Sequence, residues 1–132
     1  MVMLETTQIR HVVYLDHVRT VTEKNTGGHW RVKARRAKDQ RYTVFVWLQH
    51  LLGRRCPVTL PCTITLTRVA PRSLDPQDNL PSALSHVTDG VSDYLAGRYL
   101  TGQDRQPGLT WQYAQRRGKP GEYGVEIVVE EG

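Results

Sequence analysis

The sequence predicts an α/β fold of one domain spanning residues 1–132, with elements in the order β-α-β-α-β-β and helices packed on a mixed sheet. Three observations carry this expectation. The stretch LPCTITLTR alternates apolar and polar residues, the period of a strand. Leu80, Leu84, Val87, Val91 and Leu95 recur at spacings of three and four, the apolar stripe of a helix. The chain has 132 residues, of which 39% are hydrophobic, enough for a single core but short for two.

The first strand is expected from Ile9 to about Arg19, a segment rich in Val, Tyr and Leu that gives way to the polar, glycine-containing loop EKNTGG. A helix is predicted from about Ala34 to Leu52 by the recurrence of Ala37, Val44, Phe45, Leu48, Leu51 and Leu52, with Gly53 placed as its stop. In the next strand Leu60, Cys62, Ile64 and Leu66 face one way and Pro61, Thr63, Thr65 and Thr67 the other. The second helix ends near Gly97 and carries Ser82, Ser85, Asp89 and Asp93 opposite its stripe. Two strands close the chain, LTWQYAQ with Leu109, Trp111 and Tyr113 on one side and YGVEIVV with Val125, Ile127 and Val129 on one side. The turn-forming RRGKPGE between them predicts a hairpin. Tyr99, Trp111 and Tyr113 are expected in a core or a dimer interface.

No apolar run reaches about 18 residues, and the N-terminus MVMLETTQIRH lacks the cationic start and cleavage site of a signal peptide, so no membrane span and a cytoplasmic location are expected. Cys56 and Cys62 are too few for a disulfide framework and wrongly spaced for a zinc knuckle, and Cys62 is expected to act as a small apolar strand residue. His29, His50 and His86 show no ligand spacing.

Eighteen basic residues against thirteen acidic ones give a net charge of +5, which favours a polyanionic partner. The charge is concentrated in HWRVKARRAKDQR, where Arg31, Lys33, Arg35, Arg36, Lys38 and Arg41 face the single acid Asp39. Contacts from these side chains to phosphates would supply salt-sensitive affinity for nucleic acid, with an ordinary solvated face as the alternative. The alternation Arg31, Lys33, Arg35 predicts an extended arm before the helix. Trp30 is expected to pack in the core, with stacking on an unpaired base as its functional alternative. Arg116, Arg117 and Lys119 form a second basic group.

Against this background LDPQDNLPSALSHVTDG gathers Asp75, Asp78 and Asp89 around a helix start. One reading is structural: Asp78 or Asn79 caps the helix, Pro81 suits its first turn, and acids there favour the positive end of the helix dipole. The other is chemical. Phosphodiester cleavage needs an acidified water and stabilised oxyanions, and two hard divalent ions about 4 Å apart, held by carboxylates, supply both. Asp75 and Asp78 stand at the strand-to-helix junction, Asp104 lies in the loop GRYLTGQDRQPG, and Asp89 follows Asp78 by about three helical turns, or roughly 16 Å, in line with the site. A cation near the scissile phosphate would stabilise the transition state, and Arg72 and Arg105 lie close in sequence to the candidate ligands.

The strand TITLTRVAPR, the helix opening LDPQDNLPSAL, the aspartate of VTDGV and the strands LTWQYAQRRG and YGVEIVV, in that order, resemble the RusA family of Holliday junction resolvases and its phage-encoded relatives. The similarity covers roughly residues 60 to 130, and the basic stretch more loosely. It implies a Mg²⁺-dependent endonuclease, with Mn²⁺ as a substitute, acting on branched DNA such as four-way junctions in recombination and repair. On that resemblance Asp78 matches the aspartate of the family's Asp-Asn pair, Asp75 the acid just before it, Asp104 the acid after the helix, and Asp89 a helical aspartate of the phage branch. Asp75, Asp78 and Asp104 are then the catalytic set, and Arg72 joins the basic stretch as a DNA contact. Cutting two symmetry-related strands requires paired sites, hence a homodimer. The runner-up is a protein that kept the scaffold and binds branched DNA without cutting.

Overall fold

The computed structural model describes residues 10–20, 30–54, 61–74, 79–99 and 108–131. The expected order is present: β1 (Arg10–Asp16), α1 (Trp30–Leu52), β2 (Cys62–Ala70), α2 (Asn79–Ala83), α3 (Ser85–Tyr99), β3 (Leu109–Arg117) and β4 (Gly124–Glu131). The second expected helix is divided at Leu84 into α2 and α3. Hydrogen bonds from Leu84 N to Leu80 O (3.2 Å) and from Thr88 N to Leu84 O (2.9 Å) carry the chain across the break. The Thr88 hydroxyl also donates to Leu84 O at 3.0 Å, a back-bond of the kind that bends helices.

The four strands form one mixed sheet in the order β1-β4-β2-β3. β2 and β3 are parallel, as the helical crossover between them requires, and β4 runs antiparallel to both β1 and β2. Cys62, Ile64 and Leu66 of β2 point with Val13, Leu15, Val125, Ile127 and Val129 into a core closed by Val44 and Leu48 of α1 and Leu80, Leu84, Val87, Val91 and Leu95 of α2 and α3. Cys62 is buried, as its place in the alternation led one to expect. Trp111 and Tyr113 pack against this core from β3.

The last two strands do not form the expected hairpin. β4 lies on the other side of β2 from β3, so the connection 118–123 passes over the end of β2. Gly118 N donates to Ala70 O at 2.8 Å in that crossing, and Gly121 takes a φ of 79° in the turn beyond it. Two strand spacings are about 10 Å, a gap that so short a connection spans as easily as a tight turn closes. A signal was present in the residues. β4 buries Val125, Ile127, Val128 and Val129, contributions to both faces that mark an interior strand, whereas LTWQYAQRR is polar enough for an edge.

Two further expectations are corrected in α1. The basic residues do not form an extended arm: the helix begins at Trp30 and takes in Arg31, Lys33 and Arg35. Arg, Lys, Ala and Gln are good helix formers, and the alternation breaks at Arg36. Trp30 is not in the core but 67% exposed, because the buried residues of α1 are Val44 and Leu48, in its second half. At the other end Gly53 caps the helix with φ 93°, its N–H bonded to Gln49 O at 3.0 Å, as a C-terminal glycine does.

The contact between α1 and α3 is unusually close. A Cβ at Gly90 would stand 2.6 Å from the Val44 Cβ and 2.7 Å from the Arg41 carbonyl oxygen, so the backbones touch where only a hydrogen fits. Nearby, Arg41 donates two hydrogen bonds to Asp93, from Nε at 2.5 Å and from Nη2 at 2.7 Å. The buried Tyr94 adds a third tie, its hydroxyl donating to Gly53 O at 2.9 Å.

Candidate functional site

The carboxyl ends of the parallel pair β2 and β3 lie side by side, at Ala70 and Arg117. Open α/β sheets bind ligands outside this edge, and the segment carrying Asp75 and Asp78 leaves from it. Its approach is held firmly. The Gln115 side chain clamps Leu74 from both sides, accepting from Leu74 N at 2.8 Å and donating to Leu74 O at 2.7 Å. Arg117 Nε donates to Pro71 O at 3.2 Å.

Beneath the same edge lies Arg68, 93% buried by its relative exposure of 7%. Its guanidinium donates to neutral oxygens: Nε to Thr20 Oγ1 at 3.0 Å, Nη1 to Arg72 O at 2.6 Å and Nη2 to Thr20 O at 3.5 Å. Burial pushes its pKa down, the nearby Tyr123 acting in the opposite sense. Sequence reasoning missed both Arg68 and Gln115, since each occupies an inward position of a strand where an apolar residue is the norm. A charged or amide residue at an inward position was the available signal.

Asp75, Asp78 and Asp104 lie outside the described residues, as does Arg105. Their described flanks are placed apart. Leu74 is tied to Gln115 near the carboxyl end of β3, while Gly108 marks the opposite end, its carbonyl accepting from Cys62 N at 2.8 Å. The seven residue steps from Gly108 to Gln115 span about 23 Å of strand. An ion shared by Asp75, Asp78 and Asp104 therefore requires the 100–107 connection to reach back along the sheet.

Asp89 is described. It sits half-buried on α3, one turn before Asp93, and its charge helps hold the Arg41 pKa above its usual value, after the larger effect of the Asp93 hydrogen bond. Among the described residues no three His, Cys, Asp or Glu side chains come together as a metal site.

The basic stretch lies in the first half of α1, with Arg31, Arg35 and Lys38 on one face. Arg31, Arg35, Lys38 and Arg41 are exposed and Lys33 and Arg36 half-buried, with no acid in the first turn of α1. Cations there oppose the helix dipole, a local cost that an anionic partner removes. The Arg31 guanidinium lies 5.3 Å from the ring centroid of the exposed Trp30. Arg72 is exposed beyond β2. Arg41 forms an ion pair with Asp93. Arg41→Gln is expected to lower stability by about 1 kcal/mol, the upper range for a partly exposed bidentate pair. Urea denaturation measures the effect.

The outer face changes character along α1. Toward the C-terminal end Tyr42, Val46, Trp47 and Leu51 are exposed, Tyr42 by 67% and Trp47 by 48%. The Trp47 ring meets His50 edge-on at 6.0 Å. A cleft of about 610 Å³ lined by Lys38, Asp39, Arg41, Tyr42, Phe45 and Asp93 opens beside this patch, and one of about 410 Å³ opens between the end of β1 and the basic half of the helix. No helix among the described residues is long and apolar enough to cross a membrane.

No protein-family model matches this chain, and no curated protein matches it.

Proposed function

We propose that this protein is a structure-selective endonuclease of the Holliday junction resolvase kind, hydrolysing phosphodiester bonds in branched DNA such as four-way junctions with Mg²⁺ or Mn²⁺. The observation that carries the proposal is the joining of two features on one small scaffold. A cationic helix surface suits the DNA backbone, and the carboxyl edge of a parallel strand pair leads, through the Gln115 clamp on Leu74, into the segment with Asp75 and Asp78. Arg31, Lys33, Arg35, Arg36, Lys38 and Arg72 are the proposed backbone contacts. Phosphate contacts position a substrate without reading its sequence, as selection by branch shape demands.

The metal part of the proposal rests on Asp75, Asp78 and Asp104, with Asp89 secondary. The exposed apolar half of α1 supports a homodimer, since a contiguous apolar patch on an outer face offers area to a second copy. A second reading is binding of branched DNA without turnover, for which the cationic helix surface alone suffices.

One experiment separates the two. A labelled four-way junction is incubated with the protein in Mg²⁺ or in EDTA, and binding and cutting are followed on the same substrate. The nuclease reading expects binding in both conditions and symmetrical nicks in Mg²⁺ alone. Binding without nicks leaves the second reading, and absence of binding removes both.

A further inference from the structure

We propose that the groove between the end of β1 and the basic half of α1 is a seat for one phosphodiester strand, completed by two residues outside the basic helix, His17 and Arg19. The inference rests on the DNA-binding part of the reading above and adds a location and new contacts to it. The groove of about 410 Å³ is lined by His17, Val18, Arg19, Val32, Arg35, Arg36, Asp39, Gln40 and Thr43, so that three arginines and a histidine face one aspartate.

Its β1 wall is held in place. His17 adopts φ 63°, a left-handed conformation uncommon outside glycine, and its backbone N–H donates to Tyr123 O and to Asp16 Oδ1, both at 2.9 Å. The next exposed side chain, Arg19, lies with its guanidinium 4.9 Å from the Tyr123 ring centroid. Thr20, just beyond, is buried and accepts from Arg68, which places a further positive charge behind this wall.

On the helix side Gln40 links the two walls, Nε2 donating to Arg19 O at 3.0 Å. Its Oε1 is buried with no hydrogen-bond partner. A nucleic-acid strand supplies phosphate oxygens for the guanidinium forks of Arg19, Arg35 and Arg36. An acidic peptide would satisfy the charges as well. The exposed Trp30 with Arg31 above its ring, at the start of the same helix, offers a stacking surface that favours a nucleic acid.

The test uses fluorescence anisotropy with a labelled single-stranded oligonucleotide and a labelled four-way junction, each titrated at several salt concentrations. The variants are His17→Asn, which tolerates the left-handed backbone, Arg19→Gln, Arg35→Gln, and Arg54→Gln at the far end of α1 as a control. Thermal unfolding of each variant reports on the fold. His17→Asn and Arg19→Gln are expected to weaken binding roughly three- to ten-fold. Arg19→Gln should also flatten the plot of log affinity against log salt by nearly one unit on the junction, which a merely structural loss would not do. Weakening by Arg35→Gln together with wild-type behaviour of both β1 variants would overturn the groove and leave DNA binding by the helix standing. No wild-type affinity for either DNA would overturn both, and equal competition by poly-glutamate would reassign the groove to an acidic peptide.

Discussion

Gly90→Ala is expected to lower the stability of the fold by about 2 kcal/mol and its melting temperature by roughly 8 °C. Alanine at an open helical position stabilises by about 1 kcal/mol over glycine, so the sign itself is diagnostic. Here the new methyl group would meet the Val44 Cβ at 2.6 Å and the Arg41 carbonyl oxygen at 2.7 Å. Neither can swing aside, because one is fixed to the backbone and the other is part of it. Relief requires α1 and α3 to separate, which loosens the packing of Val44, Leu48, Val87 and Val91 and strains the Arg41–Asp93 pair. The measurement is a urea titration. A lower midpoint at unchanged slope matches the expectation, and a midpoint at or above that of the parent protein would show that the helices do not cross at Gly90.

Asp78→Asn is expected to reduce junction cutting about 100-fold or more while junction affinity and stability stay at their parent values. The two readings of the acids part at this residue, which immediately precedes α2. As a helix cap, asparagine is as good as aspartate, so a purely structural Asp78 would tolerate the change in every assay. As a ligand to a hard divalent ion, a neutral amide loses the charge that holds the metal. Asp78→Ala completes the comparison, since it removes both roles and adds a loss of about 1 kcal/mol in stability. Cutting by Asp78→Asn at the parent rate would end the catalytic assignment.

Much of the fold was legible because burial imposes a period. Leu80, Leu84, Val87, Val91 and Leu95 are all buried as their spacing implied, and so are Cys62, Ile64 and Leu66 in β2. Leu51 shows where periodicity reaches its limit: it falls on the apolar stripe of α1, yet it is 45% exposed near the helix end. The cationic surface was legible in composition, but its conformation was not, since Arg31, Lys33 and Arg35 alternate along the chain while local propensity favours a helix. For the site, the sequence reads Asp75 and Asp78 as the acids of the strand-to-helix junction, and both lie outside the described residues. It did not show Asp93, which seemed one polar residue among several on its helix face, as the partner of Arg41.

The sequence by itself determined the class and order of the elements and the faces that turn inward, because each of these depends on neighbours a few residues away. Tertiary structure alone decided that Gly90 lets two helices touch and that His17 and Arg19 meet Arg35 and Arg36 across a groove. Such pairings join residues far apart in the chain. They are selected by the packing of whole elements, and no local pattern records them.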